Sequence, residues 1–429
     1  MLKLKTTAQS LKIFYLFCVV FLLPTYLARF LIFGIPTTML EILIWVGLAW
    51  SLVNWREWKK ITALPKLVKI SVKLILLGAI IGFFVSPNKT SALGQFKGFI
   101  LDPLLFAGLV YIWFPNPTQK ISTAIKTNVA SYFYASRYRG TQIYDGLILS
   151  GVILSLIALW QKLAGATTPN ERSLSIWQWD TGASPNYLSM YLAPIGVLAF
   201  CQLKSQKNKL WILGFGFLII VCGIVVSGSR AGLLSAGAGI LFFILQKYSI
   251  FYNLKSKFFK NVVWCLCLLL IVSAIYFAGR PNLSASPNSS RVSSSNNIRW
   301  EIWRVAIKEI LPSHWLFGVG FGNFQNHFTT LTQGRVNFPE YISPRALTPH
   351  NLYLHIWFSG GIIMLIGFLG LFWQIFKNPA SNSSWLEKSV IVSILIYGLI
   401  DTPIFKNDLG VIWWVVIAVY LVKNNEEKN

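Results

Sequence analysis

Apolar residues dominate this chain in unbroken runs instead of short alternating stretches. The runs cover about residues 12–33, 36–54, 70–86, 98–114, 145–163, 186–203, 210–228, 231–247, 261–278, 350–376, 388–401 and 409–422. Most approach the roughly 17–25 residues that a helix needs to cross the hydrocarbon of a bilayer. Backbone amides in lipid must find internal partners, and long runs favour helices over the ten-residue alternation of a β-barrel. The pattern predicts an all-α, polytopic transmembrane bundle of about twelve spans. Residues 279–349 are the one long stretch too polar and too broken to cross. They divide the chain into helices 1–9 (1–278), a large extracytoplasmic loop with short amphipathic helices (279–349), and helices 10–12 with a cytoplasmic tail (350–429).

Composition agrees with that class. Hydrophobic residues make up 55% of the chain and charged ones only 12%, about half the charged share of ordinary soluble domains. The net charge of +24 would suit nucleic acid, but most basic residues sit in short segments between apolar runs, where they orient the spans. With the amino terminus inside, these segments hold Lys3, Lys5, Lys12, Arg56, Lys59, Lys60, Lys204, Lys207, Lys255, Lys257 and Lys423, among others. Both termini are then cytoplasmic, the 279–349 loop faces out, and nucleic acid is not an expected partner. The segment after Met1-Leu2-Lys3 runs into a spanning helix without a small-residue cleavage site, so no cleavable signal is expected. The five cysteines all lie inside apolar runs, which indicates neither disulfides nor a zinc site.

The kind of basic residue also segregates. Inside segments carry mostly lysine, whereas Arg29, Arg172, Arg230, Arg280, Arg291, Arg299, Arg304, Arg335 and Arg345 fall outside or at the outer boundary. Lysine suffices for topology; arginine adds a planar fork of donors that grips phosphate or carboxylate oxygens. For Arg29 and Arg280 the expected role is snorkelling to headgroups. Arg230 lies in Ser227-Gly228-Ser229-Arg230-Ala231-Gly232, where small residues let helices approach, so its guanidinium is expected to point into the bundle.

The polar loop opens with a Ser/Asn/Pro linker, Pro281 to Asn297. In Arg299 to Leu311, Ile302, Trp303, Ala306, Ile307 and Ile310 recur at helical spacing, which predicts a short amphipathic helix stopped by Pro312. Arg304 and Lys308 share one face, and Arg299 stands at the entrance. The alternating glycines of Leu316 to Phe324 lack the Gly-Lys-Ser/Thr of a phosphate loop and predict a tight turn. Of four histidines, His350 and His355 would lie about 140° apart on a helix, poor geometry for one metal. His350 follows Pro349 at a helix start beside the arginine-bearing loop, where an imidazole is suited to take a proton from a hydroxyl. Asp401, at the outer end of a span, is expected either to pair with a functional arginine or to cap a helix. Asn186 is expected to cap its helix or to contact sugar.

These segments together resemble the O-antigen ligase superfamily of ligases, polymerases and bacterial protein O-oligosaccharyltransferases. The resemblance runs from about Ser184 to Asp408. It is carried by Pro185-Asn186, by Ser229-Arg230-Ala231-Gly232, and by Arg299 with Ile302-Trp303. Leu316-Phe317-Gly318-Val319-Gly320 follows, then His350-Asn351 with Leu354 and Gly360-Gly361. Phe321 departs from the proline of many members, and the first half of the chain carries no assignable motif.

The resemblance implies transfer of a glycan from an undecaprenyl-diphosphate carrier to an acceptor hydroxyl at the outer face of the cytoplasmic membrane, with inversion and without metal or cofactor. It implies Arg230 and Arg299 on the diphosphate and His350 as base. Arg304, Asn186, Asn351 and Asp401 complete the expected set as substrate-binding residues. The acceptor is a glycan, lipid or protein. Two rivals fit less well. A metal-dependent oligosaccharyltransferase would need acids in the first outer loop, where none precedes Glu41. A transporter or lipid-glycan flippase would show repeated halves and mid-membrane charges, and has no use for so large an outer loop.

Overall fold

The computed structural model describes residues 2–32, 34–114, 141–169, 171–179, 184–203, 210–247, 295–333, 346–377 and 384–426. Within them the apolar runs form helices. They are α1 (Leu2–Phe21), α2 (Met39–Leu52), α3 (Lys66–Val85), α4 (Lys89–Trp113), α5 (Thr141–Leu163), α6 (Pro185–Leu203), α7 (Leu210–Val226) and α8 (Arg230–Lys247). After the polar loop come α11 (Leu352–Lys377), α12 (Trp385–Gly398) and α13 (Asn407–Glu426). Five of the described helices are long and apolar enough to cross a membrane: α3, α4, α5, α6 and α11. Shorter apolar helices, Ala8–Phe21, Met39–Leu52 and Leu210–Val226, accompany them; the count of about twelve rests on the sequence pattern. The run at 261–278 lies outside the described residues, as do Asp180, Arg280, Arg291, Arg335 and Arg345.

One short element departs from the helical pattern of an otherwise mostly helical chain. An antiparallel hairpin, β1 (Arg29–Ile32) and β2 (Ile35–Thr38), joins α1 to α2, pairing Arg29 with Thr38 and Ile32 with Ile35. The apolar run drawn at 12–33 therefore leaves the α-helix at Phe21 and passes through a 3₁₀ helix (Leu23–Leu27) before the hairpin. Gly34 turns the hairpin at φ +78°, and β-branched Thr37 and Thr38 suit an extended backbone. Thr38 then caps α2: its side chain accepts from the Glu41 amide (3.2 Å), while the Glu41 carboxylate accepts from the Thr38 amide (3.2 Å).

The closest packing in the bundle is between α3 and α11. A Cβ at Gly82 would come within 1.9 Å of the Ser359 carbonyl oxygen, and one at Gly78 within 2.5 Å of Met364 Cβ. Here α11 is broken: Gly360 and Gly361 leave helical geometry, Gly361 at φ +71°. The break frees backbone groups in an apolar setting, where each needs a partner. The glycine-rich segment supplies them. The Val319 and Gly320 amides donate to the Phe358 carbonyl at 2.8 and 3.1 Å, and the Ile362 amide donates to the carbonyls of Trp315 and Leu316 at 3.2 Å each. Gly318, Gly320 and Gly322 all have positive φ. The segment is thus a turn, as its lack of a phosphate-loop signature predicts, and two of its amides serve the broken helix.

The loop helix α9 (Ser295–Val305) does not stop at Pro312. It continues through a π-turn (Ala306–Ile310) and a last turn (Leu311–His314). Proline in a regular helix clashes with the carbonyl four residues back; the wider turn before Pro312 relieves that clash. Ile302, Val305, Ala306 and Ile310 pack with Val319, Phe324, Phe328 and Phe358, so the apolar face of α9 rests on the bundle, while Ile307 is exposed. A short helix, α10 (Phe324–Thr332), closes this cluster. At the other end of the bundle, the buried Glu387 carboxylate accepts from Tyr144 Oη and Lys423 Nζ, each at 2.7 Å.

The α3–α11 contact yields a stability prediction. Gly82→Ala forces two backbones apart and is expected to cost about 1–3 kcal/mol or more, read as a lower unfolding temperature in detergent. An unchanged temperature would show that this contact is not tight.

Candidate functional site

Helix ends gather at one end of the bundle. The starts of α6, α8 and α11 meet the end of α12, and each is built by short polar side chains. Asn351 Oδ1 accepts from the amides of Tyr353 and Leu354 (3.0 Å each) and so caps α11, while its Nδ2 donates to the Leu399 carbonyl (3.1 Å). Ser229 Oγ accepts from the Gly232 amide (3.3 Å) at the start of α8. Tyr397 Oη lies 2.6 Å from Ser189 Oγ and 3.0 Å from Ser229 Oγ, tying α12 to α6 and α8. These bonds fix where the next residues point.

At the centre is Asp401, 5% exposed. Its Oδ1 accepts from His350 Nδ1 (3.3 Å) and from the Thr402 amide (3.0 Å), and its Oδ2 accepts from Asn186 Nδ2 (3.2 Å). Asn186 Oδ1 in turn accepts from Arg172 Nη2 (2.9 Å), and Arg172 Nε donates to the Ser227 carbonyl (2.7 Å). Burial, the largest single effect, would raise the Asp401 carboxyl, but the charge and hydrogen bond of His350 act against it. The charge of Arg299 and the Thr402 amide add to the lowering, so the group lies below the usual carboxylate range. An ionised carboxylate only accepts, so the proton shared by the pair sits on His350 Nδ1.

His350 sits at φ +46°, a backbone conformation uncommon outside glycine and one that recurs at functional sites. The Thr348 hydroxyl accepts from its amide (3.4 Å), and Trp303 Nε1 of α9 donates to the carbonyl of the preceding Pro349 (2.8 Å). The loop helix therefore holds the backbone that carries the histidine. Its imidazole is 33% exposed while its Asp401 partner is 7% exposed, so the pair has one wet and one buried member.

The expected residues divide. His350, Asp401 and Asn186 are in one hydrogen-bonded chain, and Arg299 bears on it through its charge. Asp401 pairs with a histidine, not an arginine. Asn186 is not a cap: Ser184 Oγ accepts from its amide (3.3 Å), which leaves the Asn186 side chain for Asp401 and Arg172. Arg230 opens α8 but is exposed, against the expectation that it points inward. The small residues around it accommodate other groups. The Arg172 side chain lies against Gly228, 3.0 Å from a Cβ built there, and Ser189 against Gly232 at 2.8 Å. Arg304 is exposed on α9, 3.6 Å from Glu301. His355 is buried against Phe405, their ring centroids 4.1 Å apart.

Arg172 is the residue sequence reasoning missed. It has no motif around it; its one signal was being arginine on the outer side. Burial lowers its pKa, and the nearby charge of Arg299 lowers it further. The charge of Arg299 thus reaches both Arg172 and Asp401, and a bound anion would ease the repulsion between the two guanidiniums.

Two predictions follow from this geometry. Arg172→Lys keeps the charge but loses the fork that spans Ser227 and Asn186, and is expected to cost about 1.5–3 kcal/mol; equal unfolding temperatures for both proteins would overturn the bridging role. Because the Asp401 pKa is depressed in the folded state, its stabilisation is complete above the ordinary carboxylate value near 4 and is lost as pH falls through the lower folded value. Asp401→Asn should therefore flatten the acid side of the unfolding-temperature profile, and parallel profiles would contradict the assignment.

No curated protein matches the chain in a sequence search. Residues 215–369 match the family model described as O-Antigen ligase, a stretch that holds Arg230, Arg299 and His350. Taken with the five helices long and apolar enough to cross a membrane, this match is consistent with a multi-pass membrane protein similar to the O-antigen ligase superfamily.

Proposed function

We propose that this protein transfers a glycan from an undecaprenyl-diphosphate carrier to an acceptor hydroxyl at the outer face of the cytoplasmic membrane. The observation that carries the proposal is the His350–Asp401 pair, set at a helix start within the charge field of Arg299. His350 Nε2 takes the proton from the acceptor hydroxyl. The acceptor oxygen attacks the anomeric carbon from the face opposite the diphosphate, and the bond between that carbon and the phosphate oxygen breaks. The electron pair leaves with undecaprenyl diphosphate, and configuration inverts. Arg299 and Arg230 neutralise the leaving group, in the way oriented cations stabilise developing charge. Asp401 holds the imidazole in the required tautomer and balances the charge it gains.

The crowding of Arg172 and Arg299 supports an anionic donor, since a diphosphate between them would offset their repulsion. Asn186, fixed between Arg172 and Asp401, orients both; it acts on substrate through them. Asn351 supports the site as a cap and a tie to α12, and Arg304, exposed on α9, adds to the positive approach for the donor. The reading implies no metal or cofactor.

In membranes supplied with lipid-linked glycan, His350→Ala is expected to lower transfer by about 10²–10⁴, and Arg299→Ala or Arg230→Ala by roughly 10²–10³. Near-normal transfer by all three variants would end this assignment. Deleting the gene identifies the acceptor class: glycan left on its carrier means a ligase, a single repeat unit a polymerase, and unglycosylated protein an oligosaccharyltransferase.

A further inference from the structure

A second cavity opens at the same end of the bundle, between the β1–β2 hairpin, α2 and the first turns of α4, and none of the residues assigned above lines it. Its volume is about 480 Å³, and its walls include Glu41, Ser91, Gly94, Gln95, Phe99 and Asn407, a size within the usual range for small-ligand sites.

One wall is locked by charge. The Glu41 carboxylate accepts from Lys97 Nζ (2.8 Å), from Asn407 Nδ2 (3.1 Å) and from the Thr38 amide (3.2 Å), while Lys97 also donates to the Pro36 carbonyl (2.7 Å). The two charges cancel and both side chains are fixed. What the cavity then offers is the Ser91 hydroxyl, the Gln95 amide and the Asn407 side-chain oxygen beside the apolar surface of Phe30, Leu31, Pro36 and Phe99, with Arg29 as its one other charged wall. A phosphate would call for converging cations. Neutral donors and acceptors next to an aromatic face suit a hydroxyl-rich ring.

The cavity is also coupled to the candidate site. Asp401 lies in the connection between α12 and α13, and Asn407 is the first residue of α13. Lys406, in that connection, places its Nζ 3.5 Å from the centroid of Tyr187, the neighbour of Asn186. Anything that seats against Asn407 is therefore one short loop away from Asp401.

We propose that this cavity is a saccharide subsite, holding a sugar residue of one of the glycans joined at the His350–Asp401 site. The proposal rests on the glycan-transfer reading above and adds to it a place where the sugar, not the diphosphate, is recognised. The donor glycan and a glycan acceptor present the same chemistry, and kinetics separate them.

Gly94 gives a clean test, because a Cβ there meets nothing within 4 Å. Gly94→Trp fills the cavity from a wall that has no neighbour to displace, and Gly94→Ala is its control. Rates of the full-length protein in nanodiscs are measured while the lipid-linked donor and the acceptor are varied in turn. Binding of the water-soluble oligosaccharide released from the carrier is measured by calorimetry. The expected result is a KM raised about tenfold or more for one glycan with kcat little changed, weaker oligosaccharide binding where the donor KM moves, and a normal Gly94→Ala control. The KM that moves identifies donor or acceptor. If Gly94→Trp does not fold, judged by thermal unfolding, Gln95→Leu removes an amide from the same wall and the same shift is expected. Unchanged KM values for both glycans in a folded variant would overturn the subsite. That outcome alongside an inactive His350→Ala leaves the catalytic reading standing, whereas an active His350→Ala ends the catalytic reading whatever the cavity binds.

Discussion

The arrangement depends on one backbone constraint. α11 breaks at Gly360-Gly361 inside an apolar bundle, and the groups released by a broken helix cannot be left without partners there. The turn at Gly318 to Gly320 bonds to Phe358, and Ile362 bonds back to Trp315 and Leu316. This exchange fastens the polar loop to α11, the helix that begins just after His350. It also explains the glycines at positive φ: a side chain at Gly318 would meet the backbone of α11, and one at Gly320 the backbone at the end of α3. The pairs Gly318/Gly320 and Gly360/Gly361, distant in sequence, are two halves of one contact.

A loop anchored in this way can position chemistry. The turn brings α9 onto the bundle, and Trp303 holds the Pro349 carbonyl. A histidine with an unfavourable φ stays in place only if its surroundings over-determine it, and here the Thr348 hydroxyl, the Asn351 cap and the Asp401 carboxylate do so. The buried carboxylate is itself costly without partners. His350, Asn186 and the Thr402 amide satisfy it directly, and Arg299 does so through its charge. The loop and the buried acid thus stabilise each other through the histidine between them.

Much of this was legible in sequence, and the failures have physical causes. Run length located α3, α6 and α11 within a few residues, because hydrophobicity over a span is a long-window signal. It missed the β1–β2 hairpin, since Leu31, Ile32 and Ile35 look as apolar as a helix and only Gly34, Thr37 and Thr38 argued otherwise. Pro312 looked like a stop because a π-turn before it has no sequence signature. His350 and Asp401 could each be singled out by residue type and by position at a span end. Their pairing could not, as 51 residues separate them. The small residues at Ser227 to Gly232 correctly signalled close approach, but the side chain that fills that space, Arg172, comes from another loop.

That substitution of one arginine for another bears on how the site handles charge. Arg172 is partly buried and spends two of its donors on Ser227 and Asn186, so it is rigid. Arg230 is exposed at the first position of α8, where four helix amides begin without intrahelical partners. An anion approaching α8 meets an exposed guanidinium, the positive end of a helix dipole and, behind them, the Arg172 guanidinium tied to Asn186 and so to Asp401. Asp401 offsets only part of this charge while it also holds His350. On the proposed reading, a bound diphosphate would offset the charge of Arg299 and leave more of the carboxylate to balance an imidazolium. In such a network, charge placed on the proposed leaving-group side would strengthen the proposed base, because both act on the same buried acid.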